Sequence, residues 1–190
     1  MKMQEEITMQ HNVSTVKQLA KMQYNSFSAR SRFLGIAIAI FLMALGFGLI
    51  FNIGKPIRYF FLAAGCILIA NIGVSAEFRA EKTLTAIRKQ GDEFPCTNML
   101  FKEKEIQITE KDCSPHFLPY SGIIRLTEDK DYYYLFISSE AAYMVPKDQI
   151  KDDKNFRINL ETRTKRTIQK PVSVLSFRLG DLLSLLGKTR

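Results

Sequence analysis

Two long apolar stretches dominate the N-terminal half of the chain. The first covers Phe33–Ile53 and the second covers Tyr59–Ala76, and neither contains a charged side chain. About 20 apolar residues in an α-helix span a hydrocarbon core of ~30 Å. Both stretches are apolar on every face, and a chain of 190 residues is too small to enclose two such helices in its own core. The pattern therefore predicts two transmembrane helices.

A short polar segment separates these two stretches. Glycine and proline end helices, and Lys55 and Arg58 resist burial, so Gly54–Arg58 is expected to form a tight turn at the far membrane surface. Four cations lie in residues 17–32 and four in residues 79–89, against two in the turn. Because cytoplasmic loops carry the excess of lysine and arginine, we expect a multi-pass protein of the cell membrane with both termini in the cytoplasm.

Small residues recur within the predicted spans at a spacing of four. Gly35 and Ala39 are one such pair, Ala44 and Gly48 are another, and Gly65 lies in the second span. Small residues allow helix backbones to approach closely, and we expect them to pack the hairpin against itself rather than form an oligomer. Neither span contains an ionisable side chain of the kind that ion pathways and proton relays need, which argues against a self-contained transporter.

Polar segments flank both spans. Ser14 is expected to cap a helix that runs to about Ser28, and residues 77–89 to continue the second span as a polar helix up to Gly91. Residues 1–9 show the weak alternation of a strand.

From Phe94 onward the pattern changes to short alternating segments joined by charged turns, which is typical of an antiparallel meander. We expect Gln4–Met9 to join this sheet, because a strand left alone on the same side of the membrane would have unpaired backbone groups. The predicted strands of the meander are Thr97–Phe101, Glu105–Thr109, His116–Tyr120, Ile123–Thr127, Tyr132–Ile137 and Ala141–Val145.

The C-terminal region is helical and basic in its pattern. Asp152 or Asp153 is expected to cap a helix that extends to about Thr164. Residues 157–190 hold eight basic and two acidic side chains, and the part after Pro171 carries a broad stripe of leucines. This basic amphipathic tail could rest on a membrane surface, or it could pack on its own sheet or on the hairpin.

These elements predict an α+β membrane protein, with a transmembrane helical hairpin and an antiparallel β-rich cytoplasmic domain. The expected segments are a strand and helix in 1–32, the hairpin in 33–76, a connecting helix in 77–93, the β-rich domain in 94–166 and the basic tail in 167–190.

The titratable and sulfur side chains form no pattern that indicates catalysis. His11 and His116 are expected at the surface, and Cys66, Cys96 and Cys113 lack motif spacing. Cys113 and His116 offer two metal ligands without a second pair. We therefore expect no catalytic, cofactor-binding or metal-ligating residues, no cofactor and no enzymatic activity.

The charge distribution bears on the partners. The formal net charge is +8, but residues 77–190 hold twenty basic and seventeen acidic groups without a dense cationic patch. Nucleic acid is therefore not an expected partner. A mildly basic domain beside a membrane instead suits the anionic inner leaflet.

Three segments of the β-rich region resemble a known family. Tyr120–Glu128, Tyr132–Phe136 and Met144–Asp148 are similar to the pattern of YcxB-like proteins, which are small bacterial membrane proteins. The resemblance extends over about residues 2–166 and implies a pleckstrin-homology-like domain. The family has no established activity, so it implies no site residues.

The sequence favours a membrane-anchored interaction or regulatory module without catalytic activity. Its expected partners are the lipid bilayer and either a protein partner or an anionic lipid head group at the inner leaflet. The alternative is an accessory subunit of a membrane transporter that acts through its transmembrane helices.

Overall fold

The computed structural model describes residues 5–48, 54–89, 91, 93–110 and 114–170, and for Arg30 the backbone only. The helices are α1 (Val13–Phe27), α2 (Ala29–Gly46), α3 (Lys55–Lys89) and α4 (Asp153–Thr164). The strands are β1 (Glu5–Gln10), β2 (Cys96–Phe101), β3 (Glu105–Glu110), β4 (His116–Pro119), β5 (Arg125–Glu128), β6 (Tyr132–Phe136), β7 (Ala142–Pro146) and β8 (Ile168–Gln169).

The apolar stretches form α2 and the first part of α3. By length and composition α3 could cross a membrane, and only 6% of its most apolar window is buried in the protein. Helices α1 and α2 satisfy the same criterion only when taken together across a bend of 76°. One or two of the described helices are therefore suited to a bilayer, and residues 49–53 of the predicted first span lie outside the described residues.

The predicted turn between the spans is wrong for most of its length. Residues 55–58 form the first turn of α3, and the backbone N–H groups of Ile57 and Arg58 both donate to Gly54 O. Proline at position 56 is tolerated because the first turn of a helix leaves its N–H groups without intrahelical partners. At its other end α3 continues without a break to Lys89, as predicted.

Helices α2 and α3 pack against each other through small residues. Ala39 is fully buried, and a Cβ atom at Gly65 would lie 3.1 Å from Ala39 O and 2.7 Å from Met43 Cγ. A Cβ atom at Gly46 would lie 3.0 Å from Arg58 O. The small residues therefore allow α2 and α3 to approach within one chain, as predicted.

Strand β1 joins the sheet that forms after the helices, which confirms the prediction for the N-terminal strand. It pairs antiparallel with β2, from Glu5 opposite Phe101 to Gln10 opposite Cys96. The first sheet has the order β1-β2-β3-β4 and the second has the order β7-β6-β5-β8. Strand β8 is parallel to β5, and residues 171–190, which hold most of the predicted tail, lie outside the described part of the chain.

Strand β6 is buried on both faces. Tyr133 packs against Phe156 of α4, with ring centroids 5.6 Å apart, and faces the core between the sheets. Phe136 packs against Phe27 of α1 on the opposite side. Helix α4 therefore covers one face of the second sheet, and α1 covers the other.

Side-chain caps fix the start of α1 and of α4. Asn12 accepts a hydrogen bond from Thr15 N, and Thr15 Oγ1 accepts one from Asn12 N, which forms a capping box. The cap of α1 is therefore Asn12 and not Ser14. Asp152 accepts from Asn155 N and caps α4, as predicted.

The close approach at Gly65 makes a testable prediction. We expect Gly65→Val to lower the thermal unfolding midpoint in detergent, because the new side chain meets the backbone of α2 as well as Met43. Gly73→Val is the matched control, since a Cβ atom there meets nothing within 4 Å. Equal midpoints for the two variants would contradict the packing of α2 on α3.

Candidate functional site

Helix α1 lies between the second sheet and α3, and its contact with the sheet is largely aromatic. The rings of Phe27 and Phe136 meet edge to face, with centroids 5.1 Å apart. The guanidinium group of Arg125 lies 4.5 Å from the centroid of Phe27 and donates a hydrogen bond to Ser26 O. The C-terminal end of α1 is thus attached to β5 and β6.

Two glutamines extend this attachment along α1. Gln18 Nε2 donates to Asp129 Oδ2 at 2.9 Å, and Gln23 Nε2 donates to Glu140 O at 2.7 Å. The bond from Gln23 joins neutral groups and adds on the order of 1 kcal/mol, whereas the bond from Gln18 goes to a carboxylate and adds about 1.5–3 kcal/mol. Together they fix the rotation of α1 about its axis.

The opposite side of α1 contacts α3. Tyr24 Oη donates to Ile72 O at 3.2 Å, and Lys17 Nζ lies 3.5 Å from Glu81 Oε1. These contacts bring the first part of α1 to Glu81 and its last part to Ile72. The buried hydrophobic side chains of the two helices outside the main core are Val16, Ala20, Tyr24, Ala80 and Leu84. Helix α1 therefore joins the β-rich domain to α3 through two different faces.

A cavity of about 780 Å³ opens between α1, α2 and α3. One end is polar and carries Lys17 and Lys21 of α1. The other end is apolar and is formed by Ile36, Ile69 and Ile72. We call this cavity the interfacial pocket. The remaining lining residues are Ser14, Gln18, Tyr24, Asn25, Arg32, Gly73, Ala76, Glu77 and Ala80.

Arginine side chains surround Tyr24 in the wall of the interfacial pocket. Arg32 is only 5% exposed, and its guanidinium donates to Asn25 Oδ1 at 2.9 Å and to Asn25 O at 3.2 Å. The guanidinium carbons of Arg32 and Arg79 lie 4.9 Å and 5.6 Å from the centroid of the Tyr24 ring. Cation–π contacts of this kind hold positive charge beside the pocket.

A second charged cluster ties the β-rich domain together. Glu128 is 7% exposed, and its carboxylate lies 2.7 Å from both Lys147 Nζ and Arg157 Nη1. Lys147 also donates to Asp129 O at 2.8 Å and lies over the Tyr133 ring. The cluster links β5, the segment directly after β7, and α4, so we assign it to the stability of the domain.

Asp129 at the end of β5 is held in its charged form. Burial raises the pKa of this carboxyl, but hydrogen bonds from Tyr134 Oη, Gln18 Nε2 and two backbone N–H groups outweigh it and keep the pKa below its ordinary value. Its contribution to stability is therefore present above the ordinary pKa and fades as the pH falls through the lowered one.

Another cavity, of about 830 Å³, lies beside β1. The side-chain amide of Gln149 lines it and bonds both backbone groups of Thr8, at 2.9 Å from the N–H and 2.8 Å from the carbonyl. This amide takes the place of a neighbouring strand at the outer edge of β1, and it limits pairing with another chain there.

The histidines and cysteines considered from the sequence do not come together. His11 is half-buried beside Thr15, and burial lowers its pKa, whereas His116 is exposed and lies 2.9 Å from Tyr143 Oη. Cys66 is exposed on α3 and Cys113 lies outside the described residues. Within the described ranges, no three His, Cys, Asp or Glu side chains are grouped as metal ligands.

Sequence reasoning missed the interfacial pocket. It counted Lys17, Lys21 and Arg32 only as cations near the membrane. The signal that was present is the spacing of Lys17 and Lys21, four residues apart on one helix, which places both on the same face. The bend between α1 and α2 brings Arg32 beside this face. The sequence pattern did not predict this bend, so it did not predict the position of Arg32.

The buried carboxylate at Glu128 gives a second prediction. Glu128→Gln leaves two cations without their counter-charge, and we expect it to lower the free energy of unfolding by about 3 kcal/mol. Glu140→Gln, at an exposed position, should change it little. Urea unfolding in detergent, followed by tyrosine fluorescence, measures both. Equal effects would show that the cluster does not stabilise the domain.

Comparison with known proteins supports one family. The comparisons with curated proteins and with solved structures found no match. The family model described as YcxB-like protein matches residues 101–160, which run from the end of β2 to α4. This stretch contains the three segments that carry the resemblance predicted from the sequence. The YcxB-like assignment is thereby confirmed over residues 101–160 of the chain.

Proposed function

We propose that the protein is a membrane-anchored interaction or regulatory module without catalytic activity. Two helices span the cell membrane as a hairpin, and the β-rich domain lies at the cytoplasmic face with both termini. There it binds a protein partner or an anionic lipid head group.

The position of α1 is the observation that carries this proposal. Helix α1 contacts β5 and β6 through Phe27 and Arg125, and it contacts α3 through Tyr24 and Lys17. A domain on a loose tether would need no such helix. The contacts favour a domain held in one orientation against the bilayer. Binding at the surface of the domain then affects the hairpin, and a change in the hairpin affects the domain.

The proposed domain fold is pleckstrin-homology-like. Support comes from the antiparallel strands β1–β4 and β5–β7, which form two sheets around one core, and from α4, which follows the seventh strand. The hairpin is inserted between β1 and β2 of this arrangement.

Cysteine labelling tests the anchoring. A cysteine at Lys55, at the start of α3, should react with an impermeant thiol reagent in intact cells. One at Ser139, in the connection between β6 and β7, should react only after the membrane is opened. The three native cysteines are replaced by serine as the background.

The reverse labelling pattern would contradict the proposed orientation, and labelling of both sites in intact cells would contradict the hairpin.

The exposed apolar surface of α3 favours the accessory-subunit alternative as a second candidate. Ile67 is 60% exposed and Phe60 is 69% exposed, so either lipid or another membrane protein covers them. If a stoichiometric companion purifies with the protein and is lost with Phe60→Ala and Ile67→Ala, the accessory-subunit function is favoured. If the companion is retained, the interaction module stands.

A further inference from the structure

We propose that the interfacial pocket binds one anionic glycerophospholipid, with its phosphodiester at the lysine end and an acyl chain at the isoleucine end. This inference rests on the proposed function, because acyl chains reach the pocket only if the helices lie in a bilayer.

The polarity of the pocket follows the polarity of a lipid. Lys17 and Lys21 lie one turn apart on α1 and line the end of the pocket that is nearer to the β-rich domain. Ile36 of α2 and Ile69 of α3 line the other end, within the stretches predicted to span the membrane. A lipid aligned with the membrane normal would therefore place its head group beside the lysines and its acyl chain beside the isoleucines.

The charges of the lining favour an anion. The lining holds three cationic side chains, Lys17, Lys21 and Arg32, and one carboxylate, Glu77. Lys17 also pairs with Glu81, but both side chains are more than half exposed, and such a surface pair contributes little. A phosphodiester placed between Lys17 and Lys21 would accept hydrogen bonds from both ammonium groups. Basic pockets between membrane helices on the cytoplasmic side are suited to lipid head groups.

The apolar end distinguishes a lipid from a small soluble phosphate. Tyr24 Oη bonds Ile72 O, so the pocket wall reaches a residue that lies within the predicted second span. A soluble phosphate would leave this apolar end unfilled, whereas an acyl chain would cover it. The volume of about 780 Å³ is in the range of ligand sites and exceeds what a phosphate alone would fill.

The test measures binding of phosphatidylglycerol and phosphatidylcholine to the full chain in a neutral detergent by native mass spectrometry. We expect one bound phosphatidylglycerol at concentrations where phosphatidylcholine does not bind. Lys17→Gln with Lys21→Gln should weaken phosphatidylglycerol binding about thirtyfold, which corresponds to ~2 kcal/mol at ~1 kcal/mol for each cation. The control is Lys104→Gln with Lys154→Gln, which removes the same charge from exposed positions of the β-rich domain.

A second variant tests the apolar end without changing the charge. A Cβ atom at Gly73 meets nothing within 4 Å, and Gly73 lines the pocket. Gly73→Leu should therefore fill part of the pocket and weaken phosphatidylglycerol binding, while the unfolding midpoint without lipid stays near that of the wild type. Glycerol 3-phosphate, which has no acyl chain, should bind far more weakly than phosphatidylglycerol.

Several results would overturn the lipid site. Equal binding of phosphatidylglycerol and phosphatidylcholine is one, and equal binding by wild type and the double lysine variant is another. Glycerol 3-phosphate binding as tightly as the lipid would indicate a soluble ligand. A companion protein lost on changing Lys17 and Lys21, with lipid binding unchanged, would assign the pocket to that protein. If cysteine labelling supports the hairpin but phosphatidylglycerol is not preferred, the lipid site fails and the anchored module stands.

Discussion

The pairing of β1 with β2 joins two segments that are separated in sequence by α1, α2 and α3. Ile7 and Met9 of β1 are buried in the same core as Met99 and Phe101 of β2. Because successive side chains of a strand point to opposite faces, a shift of one residue would move Ile7 and Met9 out of that core. The register therefore also fixes the position, relative to the sheets, at which α1 begins and at which α3 ends.

Helix α1 fixes the orientation of the β-rich domain relative to α3, because it contacts both. Full burial of a large apolar side chain contributes about 1.5–3 kcal/mol, a neutral hydrogen bond about 0.5–1.5 kcal/mol, and a hydrogen bond to a charged group about 1.5–3 kcal/mol. Phe27 is only partly buried, so its packing on Phe136 and the hydrogen bond from Gln18 to the Asp129 carboxylate hold α1 on the sheet to a similar extent. The bond from Gln23 is weaker, and the two glutamines together select the rotation of α1 about its axis. The same rotation turns Lys17 and Lys21 toward the interfacial pocket.

The sequence predicted the features that depend on local pattern. Alternation located β2, β3, β6 and β7 to within a residue at each end, and Asp152 marked the start of α4. Expectations that depended on one residue type were less accurate: Pro56 was taken as a helix breaker but lies in the first turn of α3, and Asn12 rather than Ser14 caps α1. The interfacial pocket could not be predicted, because it depends on how three helices meet. Arg32 and Ile69 are far apart in sequence, and nothing in either segment indicates the other.

A disulfide test addresses the pairing of β1 with β2 most directly. Thr8 lies opposite Asn98, and because both backbone groups of Thr8 bond Gln149, the pair is not hydrogen-bonded and its Cα atoms are ~4.5 Å apart, a separation that suits a disulfide. In a chain without its native cysteines, Thr8→Cys with Asn98→Cys should form an intramolecular disulfide in membranes under mild oxidation. Gln10→Cys with Leu100→Cys, four residues out of register, should not. Equal cross-linking of the two pairs, or none in the first, would contradict the account.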